Sequence, residues 1–214
     1  MESYRIVEHQ NRIYEYNATS TEVRAELLQS LLERTKPEPY SYEWHELIAT
    51  PFRYPLPVGL NYAARFRPPG SMKNVLYSSQ EVETTLYEHA FHFLKFRLGM
   101  KRLAKTGQRT IFSVRFVKNA PVTDISQRSD VTEICDPSGY ESSHAFVAAN
   151  PDVGIIQYPS CRDPKRRSCF ATRDIKFFEK EIGNSSPISF YFQKKKHSIH
   201  WIENGLTITW SEFF

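Results

Sequence analysis

Residues 61–97 read NYAARFRPPGSMKNVLYSSQEVETTLYEHAFHFLKFR and contain the pattern that decides the fold. Within them, residues 74–77 form a short apolar run that is typical of a strand. Ser78 and Glu81 have the spacing of a capping box, so the sequence predicts that a helix follows over residues 80–99. A strand that leads directly into a helix, with polar side chains along both, favours a functional site at this junction.

The predicted helix has one apolar side and one polar side. At about 100° per residue, Glu88 falls opposite the apolar side. A polar helix face is most often exposed to water, but this helix follows a strand that itself follows an arginine cluster. That position favours Glu88 as a functional residue. The apolar side comprises Val82, Leu86, Ala90, Phe93 and Leu94, and the polar side comprises Glu81, Thr84, Glu88, His92 and Lys95.

Upstream of this stretch, the sequence predicts a strand over residues 3–17 and a helix over residues 19–34. The helix is predicted because Thr19 and Glu22 have capping-box spacing and leucines follow at helical intervals. Residues 36–60 interleave five prolines with aromatic side chains, which predicts a long loop. The sequence leaves open whether this loop is a wall or lid over a site or simply a packed surface cover.

Downstream, strand patterns dominate. Residues 109–117 alternate, with Phe112, Val114 and Phe116 on one face. Asn204-Gly205 lies between two alternating segments, which is the strongest short signal for a hairpin. The other predicted elements are a strand over 122–125, a helix opened by Asp136-Pro137 that ends near Ala149, strands over 153–158 and 168–174 joined by a turn over 162–167, and late strands over 188–193, 198–202 and 206–210. This order predicts an α+β fold with mostly antiparallel sheets and flanking helices, in a single domain spanning 1–214.

Composition narrows the class of protein. The net charge of +4 is mild and its basic clusters are short, so a small anionic ligand explains them as well as nucleic acid does, and no direct nucleic-acid binding is expected. No apolar run is long enough to span a bilayer and no signal pattern opens the chain, so we expect a soluble, cytoplasmic protein without a membrane partner.

Several common site motifs are absent from the sequence. Three cysteines without CxxC spacing argue against a disulfide framework and a structural zinc site. The fingerprints of dinucleotide-binding domains, P-loops and serine hydrolases do not occur. His89 and His92 lie beside Glu88 but lack a third-ligand signature, so we expect no metal and no prosthetic group. What remains is Arg65, Tyr77 and Glu88 at near-even intervals, with Ser160 at the end of a later strand.

Several blocks of the sequence together resemble the RES-domain family, which is named for its Arg, Glu and Ser. The resemblance extends from about Tyr4 to the final hairpin. It is carried by ATPFRYPLPVGLNYAARFRPPG (49–70), VLYSSQEVETTLYEHAF (75–91), TIFSVRF (110–116) and GIIQYPSCRDPKRRSCFA (154–171).

This resemblance implies a bacterial, NAD-consuming toxin of a toxin–antitoxin system, with a fold related to that of ADP-ribosyltransferases. It implies NAD as substrate and an Xre-type antitoxin protein as partner, and it leaves a homo-oligomer open. The expected activity is cleavage of the nicotinamide–ribose bond, with water or phosphate as acceptor. The alternatives are transfer of ADP-ribose to a macromolecule and a non-enzymatic binding module.

The resemblance also places the family's site residues on this chain. They fall on Arg5, Arg65, Tyr77, Glu88 and Ser160. The family often has Gly-Gly-Arg-Trp-Asn where this chain has Ala-Ala-Arg-Phe-Arg at 63–67, so Arg67 adds a charge. The sequence leaves open whether Arg65 or Arg67 is the working arginine.

The implied reaction gives each of these residue types a role. A carboxylate such as Glu88 stabilises an oxocarbenium-like transition state. Arginine grips phosphate with two parallel hydrogen bonds, which suits Arg65 and Arg5. Tyr77 offers a flat face for the nicotinamide ring. Ser160 either binds the substrate amide or steadies Arg65.

Overall fold

The computed structural model describes residues 1–8, 43–53, 63–71, 73–97 and 106–213. Nine strands from these residues pair into one sheet. The strands are β1 (Glu2–Glu8), β2 (Leu76–Ser79), β3 (Thr106–Phe116), β4 (Val122–Asp124), β5 (Ile155–Pro159), β6 (Ser168–Thr172), β7 (Phe178–Gln193), β8 (Ser198–Trp201) and β9 (Leu206–Thr209). The α-helices in the described ranges are α1 (Glu46–Arg53), α2 (Val82–Arg97), α3 (Val131–Ile134) and α4 (Glu141–Ala149).

The first strand of the chain lies in the interior of the sheet. The strand order is β4-β5-β6-β2-β1-β3-β7-β8-β9. β1 pairs with β3 from Glu2 to Glu8, but its register with β2 contains the single pair Tyr4↔Ser79. We call this short β1–β2 junction the seam. The seam joins two better-paired halves of the sheet, because β2 continues into β6 and β1 continues into β3.

The predicted fold class is confirmed. In the described part of the chain, every pairing between these strands is antiparallel except that between β4 and β5. The alternation in β3 also has the predicted consequence, since Phe112, Val114 and Phe116 share one buried cluster. The Asn204-Gly205 turn joins β8 to β9, and Gly205 has a φ of 63° that glycine adopts without strain.

Helix α2 is buried on more than its apolar side. Leu86, Ala90 and Leu94 are fully buried in a cluster with residues of β7, β8 and β9. On the polar side, Thr84 is also fully buried, whereas His92 and Lys95 are exposed. The polar face of this helix is therefore a second packing surface over part of its length.

Residues 36–60 do not form a continuous loop, because α1 lies within them. The side chain of His45 accepts a hydrogen bond from the Leu47 backbone N–H at 3.2 Å and so satisfies one of the free donors at the helix start. Ile48 and Ala49 are buried, which anchors the helix although Pro51 lies inside it. Proline removes one helical hydrogen bond but does not prevent so short a helix.

Two predicted helix starts are wrong. Ser78 belongs to β2, where its hydroxyl accepts a hydrogen bond from Ser3 at 2.9 Å, so it does not cap α2. The helix predicted to open at Asp136-Pro137 begins at Glu141, because Asp136 instead accepts two hydrogen bonds from Ser138 in a turn. The predicted helix over 19–34, and the parts of the predicted strand and loop over 9–17, 36–42 and 54–60, lie outside the described residues.

Candidate active site

A cavity of about 300 Å³ opens at the seam, between β1, β2 and α2. Its volume is at the lower end of the range found for small-molecule sites. Four of the predicted site residues line it, each from a different element: Arg5, Arg65, Tyr77 and Glu88. The short pairing between β1 and β2 is what exposes side chains of both strands to one space.

Glu88 is held by the hydroxyl of Ser160, 72 residues further along the chain. Ser160 Oγ donates to Glu88 Oε1 at 2.6 Å, and it accepts the backbone N–H groups of Arg162 at 3.1 Å and Asp163 at 3.0 Å. A hydroxyl has one proton and two acceptor positions, so the two N–H donors leave its proton for Glu88. Ser160 is fully buried and does not border the cavity. The structure therefore places it behind Glu88 and not against Arg65.

The β5–β6 loop, residues 160–167, is fixed to α2 by a buried carboxylate. Asp163 accepts hydrogen bonds from Thr84 at 2.8 Å and Arg167 at 2.6 Å. Arg167 also pairs with Glu83 at 2.6 Å and Glu81 at 3.2 Å. Burial acts to raise the pKa of Asp163, but the bonds to Arg167 and Thr84 outweigh it and hold that pKa below its ordinary value. This network sets the position of Ser160 relative to Glu88.

A two-residue turn places Arg65 in the cavity. The backbones of Ala64 and Arg67 exchange hydrogen bonds at 3.0 and 2.9 Å, so Arg65 and Phe66 form the corner. Phe66 is fully buried and its ring packs edge-on against Tyr158, with 4.9 Å between ring centroids. This anchor directs the neighbouring Arg65 to the cavity wall.

The two candidate arginines of this turn are in different places. Arg65 is buried, donates to the carbonyl of Ile134 at 2.9 Å and lies 5.4 Å from the centroid of the Tyr140 ring. Arg67 is not among the described residues that border the cavity. Position therefore favours Arg65 as the arginine that meets a ligand.

Tyr77 and Arg5 contact each other across the seam. Arg5 Nη1 donates to the backbone carbonyl of Tyr77 at 2.9 Å, and the Tyr77 hydroxyl accepts the Phe66 N–H at 3.3 Å. Burial lowers the pKa of Arg5 to about 10 and raises the pKa of Tyr77 to about 12. Near neutral pH the arginine is therefore charged and the tyrosine is neutral.

The cavity combines one carboxylate with several positive charges. Among the described residues, Glu88 supplies the only carboxylate that lines it, whereas Arg5, Arg65 and Arg162 all border it. Burial raises the pKa of Glu88 above its ordinary value, although the Ser160 hydrogen bond and the charges of Arg162 and Arg65 oppose this effect. A site of this kind attracts an anionic ligand and presents a single carboxylate to it.

Several residues of the cavity wall were not predicted from the sequence. Arg162 was assigned to a basic turn, although its position two residues after Ser160 was a usable signal. Tyr140 was hidden in a segment predicted as helix. Two of the three cysteines also lie here: Cys161 lines the cavity, and Cys169 Sγ lies 3.8 Å from Glu88 Oε1.

The side chain of His89, next to Glu88 in the sequence, already accepts a hydrogen bond within the protein. His89 Nε2 accepts a hydrogen bond from Arg109 Nε at 3.1 Å. Burial, with the nearby charge of Arg109, lowers the pKa of His89 to about 3, so the ring is neutral.

The described part of the chain contains no group of three His, Cys, Asp or Glu side chains placed to hold a metal ion. In that same part, no helix has the length and apolar character needed to cross a membrane.

Comparison with known families decides the relationship. Residues 32–190 match the model of the RES domain, and these residues are more than half of the chain. The chain belongs to the RES-domain family. A search of curated proteins finds no match to it.

The matched region of this RES domain contains most of the site. Arg65, Tyr77, Glu88 and Ser160 lie within residues 32–190, and Arg162 does too. Arg5 lies outside, because β1 precedes the matched region. The strand that completes the cavity is therefore supplied from outside the part of the chain on which the family match rests.

Proposed function

We propose that this RES domain cleaves the bond between nicotinamide and ribose in NAD and acts as the toxin of a toxin–antitoxin system. The observation that carries the proposal is that Glu88 is the only carboxylate among the described residues lining a cavity that three arginines also border. Family membership supports NAD as the substrate class.

One carboxylate is enough for this reaction. The bond from the ring nitrogen to ribose C1′ breaks with both electrons going to the nitrogen, so the cationic ring leaves as neutral nicotinamide and needs no proton. An enzyme that expels a sugar alcohol uses a second carboxyl group as acid. The ionised Glu88 stabilises the positive charge that develops on the ribose. Water or phosphate then bonds to C1′, and the acceptor loses a proton.

The surrounding residues suit the rest of the substrate. Arg65 and Arg5 are charged donors for the pyrophosphate oxygens. Tyr77 lines the same cavity as Glu88 and offers an aromatic face for the nicotinamide ring. Ser160 acts through Glu88 and is a positioning residue.

The test is incubation of the purified protein with NAD, followed by chromatography of the products with and without phosphate. We expect free nicotinamide in both cases, with ADP-ribose as the second product in water and its phosphate ester when phosphate is the acceptor. Glu88→Gln should lower the rate at least about 100-fold, since it removes the charge that the transition state needs. The exposed Glu179→Gln is the matched control and should keep full activity.

Full activity in Glu88→Gln would overturn this function. Label that passes from NAD to a protein or nucleic acid, without free ADP-ribose or its ester, would favour the transferase alternative. We further propose an Xre-type antitoxin protein as the partner, on family grounds. Co-expression with such a protein should allow growth of cells that the wild-type chain alone arrests.

A further inference from the structure

Arg162 is a buried arginine whose side chain is held in place, although not all of its N–H groups have hydrogen-bond partners among the described residues. Its exposed fraction is 7%, and its guanidinium carbon lies 3.5 Å from the centroid of the Phe91 ring. Nη2 donates to the carbonyl of Pro137 at 3.2 Å. Nη1 is buried and has no hydrogen-bond partner among the described residues. A buried charged donor without a partner is costly, so such a group indicates a missing acceptor.

Arg162 also lines the cavity, together with Glu88 and Arg65. The hydrogen bond to Pro137 and the contact with Phe91 fix the plane of the guanidinium before any ligand arrives. Fixing a donor in advance lowers the entropy cost of binding. With Arg5, the described part of the cavity wall has three arginines and one carboxylate, and this excess of positive charge suits an anion.

The charges of the groups within NAD indicate which of them the arginines bind. The nicotinamide ring is cationic and would be repelled by a guanidinium, whereas the pyrophosphate is anionic and has several acceptor oxygens. Glu88 suits the cationic end and the arginines suit the anionic one. A planar guanidinium with a free N–H group is a good match to a phosphate oxygen.

We propose that Arg162 is a substrate-binding residue whose guanidinium donates to a pyrophosphate oxygen of the dinucleotide. This inference rests on the proposed function for the identity of the dinucleotide. It adds a subsite on the β5–β6 loop, and the same loop positions Glu88 through Ser160. Substrate binding and placement of the carboxylate therefore depend on one structural unit.

The test is calorimetric titration of the full chain with ADP and with adenosine, which share a base and sugar and differ in the pyrophosphate. Arg162→Gln should weaken ADP binding about 10- to 100-fold, the usual range for losing a hydrogen bond to a charged group. Adenosine binding should be unchanged. Arg162→Lys should recover part of the loss, since it keeps the charge but not the planar donor set. The exposed Arg115→Gln is the control and should bind ADP like the wild type.

The inference is overturned if Arg162→Gln binds ADP as tightly as the wild type, or if it loses ADP and adenosine affinity equally. It is also overturned if wild-type protein binds ADP no better than adenosine. Should Arg162→Gln fail to melt cooperatively, Arg162→Lys decides, and unchanged ADP affinity there counts against the proposal. ADP has no nicotinamide bond, so Arg162-dependent ADP binding without nicotinamide release would contradict the proposed function and leave this subsite standing.

Discussion

At the scale of single residues, the hydrogen bond of 2.6 Å between Ser160 and Glu88 links placement to ionisation. Burial raises the pKa of Glu88, and the Ser160 hydroxyl partly offsets this because it bonds best to the charged carboxylate. The same contact therefore orients the carboxylate and favours its ionised form.

The pH profile of nicotinamide release should show both effects. Because the ionised form of Glu88 is active and its pKa is raised, the rate should fall on the acid side at a pH above 4.5, the ordinary value for a glutamate. Ser160→Ala should move this acid limb upward by about one pH unit, which corresponds to a hydrogen bond of about 1.4 kcal/mol.

The measurement is the rate of nicotinamide release as a function of pH for both proteins. Ser113→Ala is a suitable control, because Ser113 is a buried β3 serine that does not line the cavity and whose hydroxyl has no hydrogen-bond partner among the described residues. An acid limb in Ser160→Ala at the same pH as in the wild type would show that the hydroxyl does not act on Glu88.

At the scale of elements, the β5–β6 loop depends on Arg167. Arg167→Gln leaves Asp163 buried without its charged partner, which should lower the free energy of unfolding by about 3 kcal/mol. We expect the Tm to fall by roughly 5–10 °C at neutral pH. The difference should shrink as the pH falls through the lowered pKa of Asp163, because protonation removes the charge that Arg167 stabilises.

Thermal melting followed by circular dichroism checks this expectation. Arg115→Gln removes an ion pair whose side chains are about half exposed, and such pairs contribute less than about 1 kcal/mol. Equal melting temperatures for Arg167→Gln and Arg115→Gln would mean that the network on Asp163 does not hold the loop.

Two elements, strand β3 and the hairpin between β8 and β9, were predictable from the sequence, and helix α1 was not. The face of β3 and the Asn204-Gly205 hairpin were predictable because the signal is local: alternation in one case, and turn chemistry in the other. Helix α1 was missed because its cap is a histidine side chain, which the usual capping preferences do not include, and because Pro51 lies inside it.

The site was predictable only in part, because some of its contacts depend on tertiary structure and leave no local pattern in the sequence. Glu88 could be placed off the apolar side of α2 from helical periodicity alone. The hydrogen bond between Glu88 and Ser160 could not be predicted in this way. It depends on how β5, β6 and β2 pair, which no local sequence pattern specifies. Arg162 was missed because burial of an arginine follows from tertiary contacts with Phe91 and Pro137.

At the scale of the whole molecule, the site has a cost in stability. The folded-state pKa of Glu88 is raised above its unfolded value, so this residue lowers the free energy of unfolding at pH values above that folded pKa. Glu88→Gln should therefore melt at the same temperature as the wild type or higher at pH 7. The difference should vanish below pH 4.5, where the glutamate is protonated in both states.

Melting of both proteins at pH 7 and pH 4 tests this, and it also shows that a loss of activity in Glu88→Gln is not a loss of fold. A variant that melts several degrees lower at pH 7 would contradict the expectation. Residues selected for activity at the expense of stability behave in this way in many enzymes.

The interior position of β1 has a consequence for how the protein is made. The partners of β1 are made much later than β1 itself: Ser3 bonds to Ser78, 75 residues later, and lies opposite Val114 of β3. The β5–β6 loop, which holds Glu88 in position, is made later still. A nascent chain therefore has no complete cavity until the β5–β6 loop has been synthesised, and contacts this distant in sequence form slowly. The assembled site is therefore absent while the polypeptide is still short.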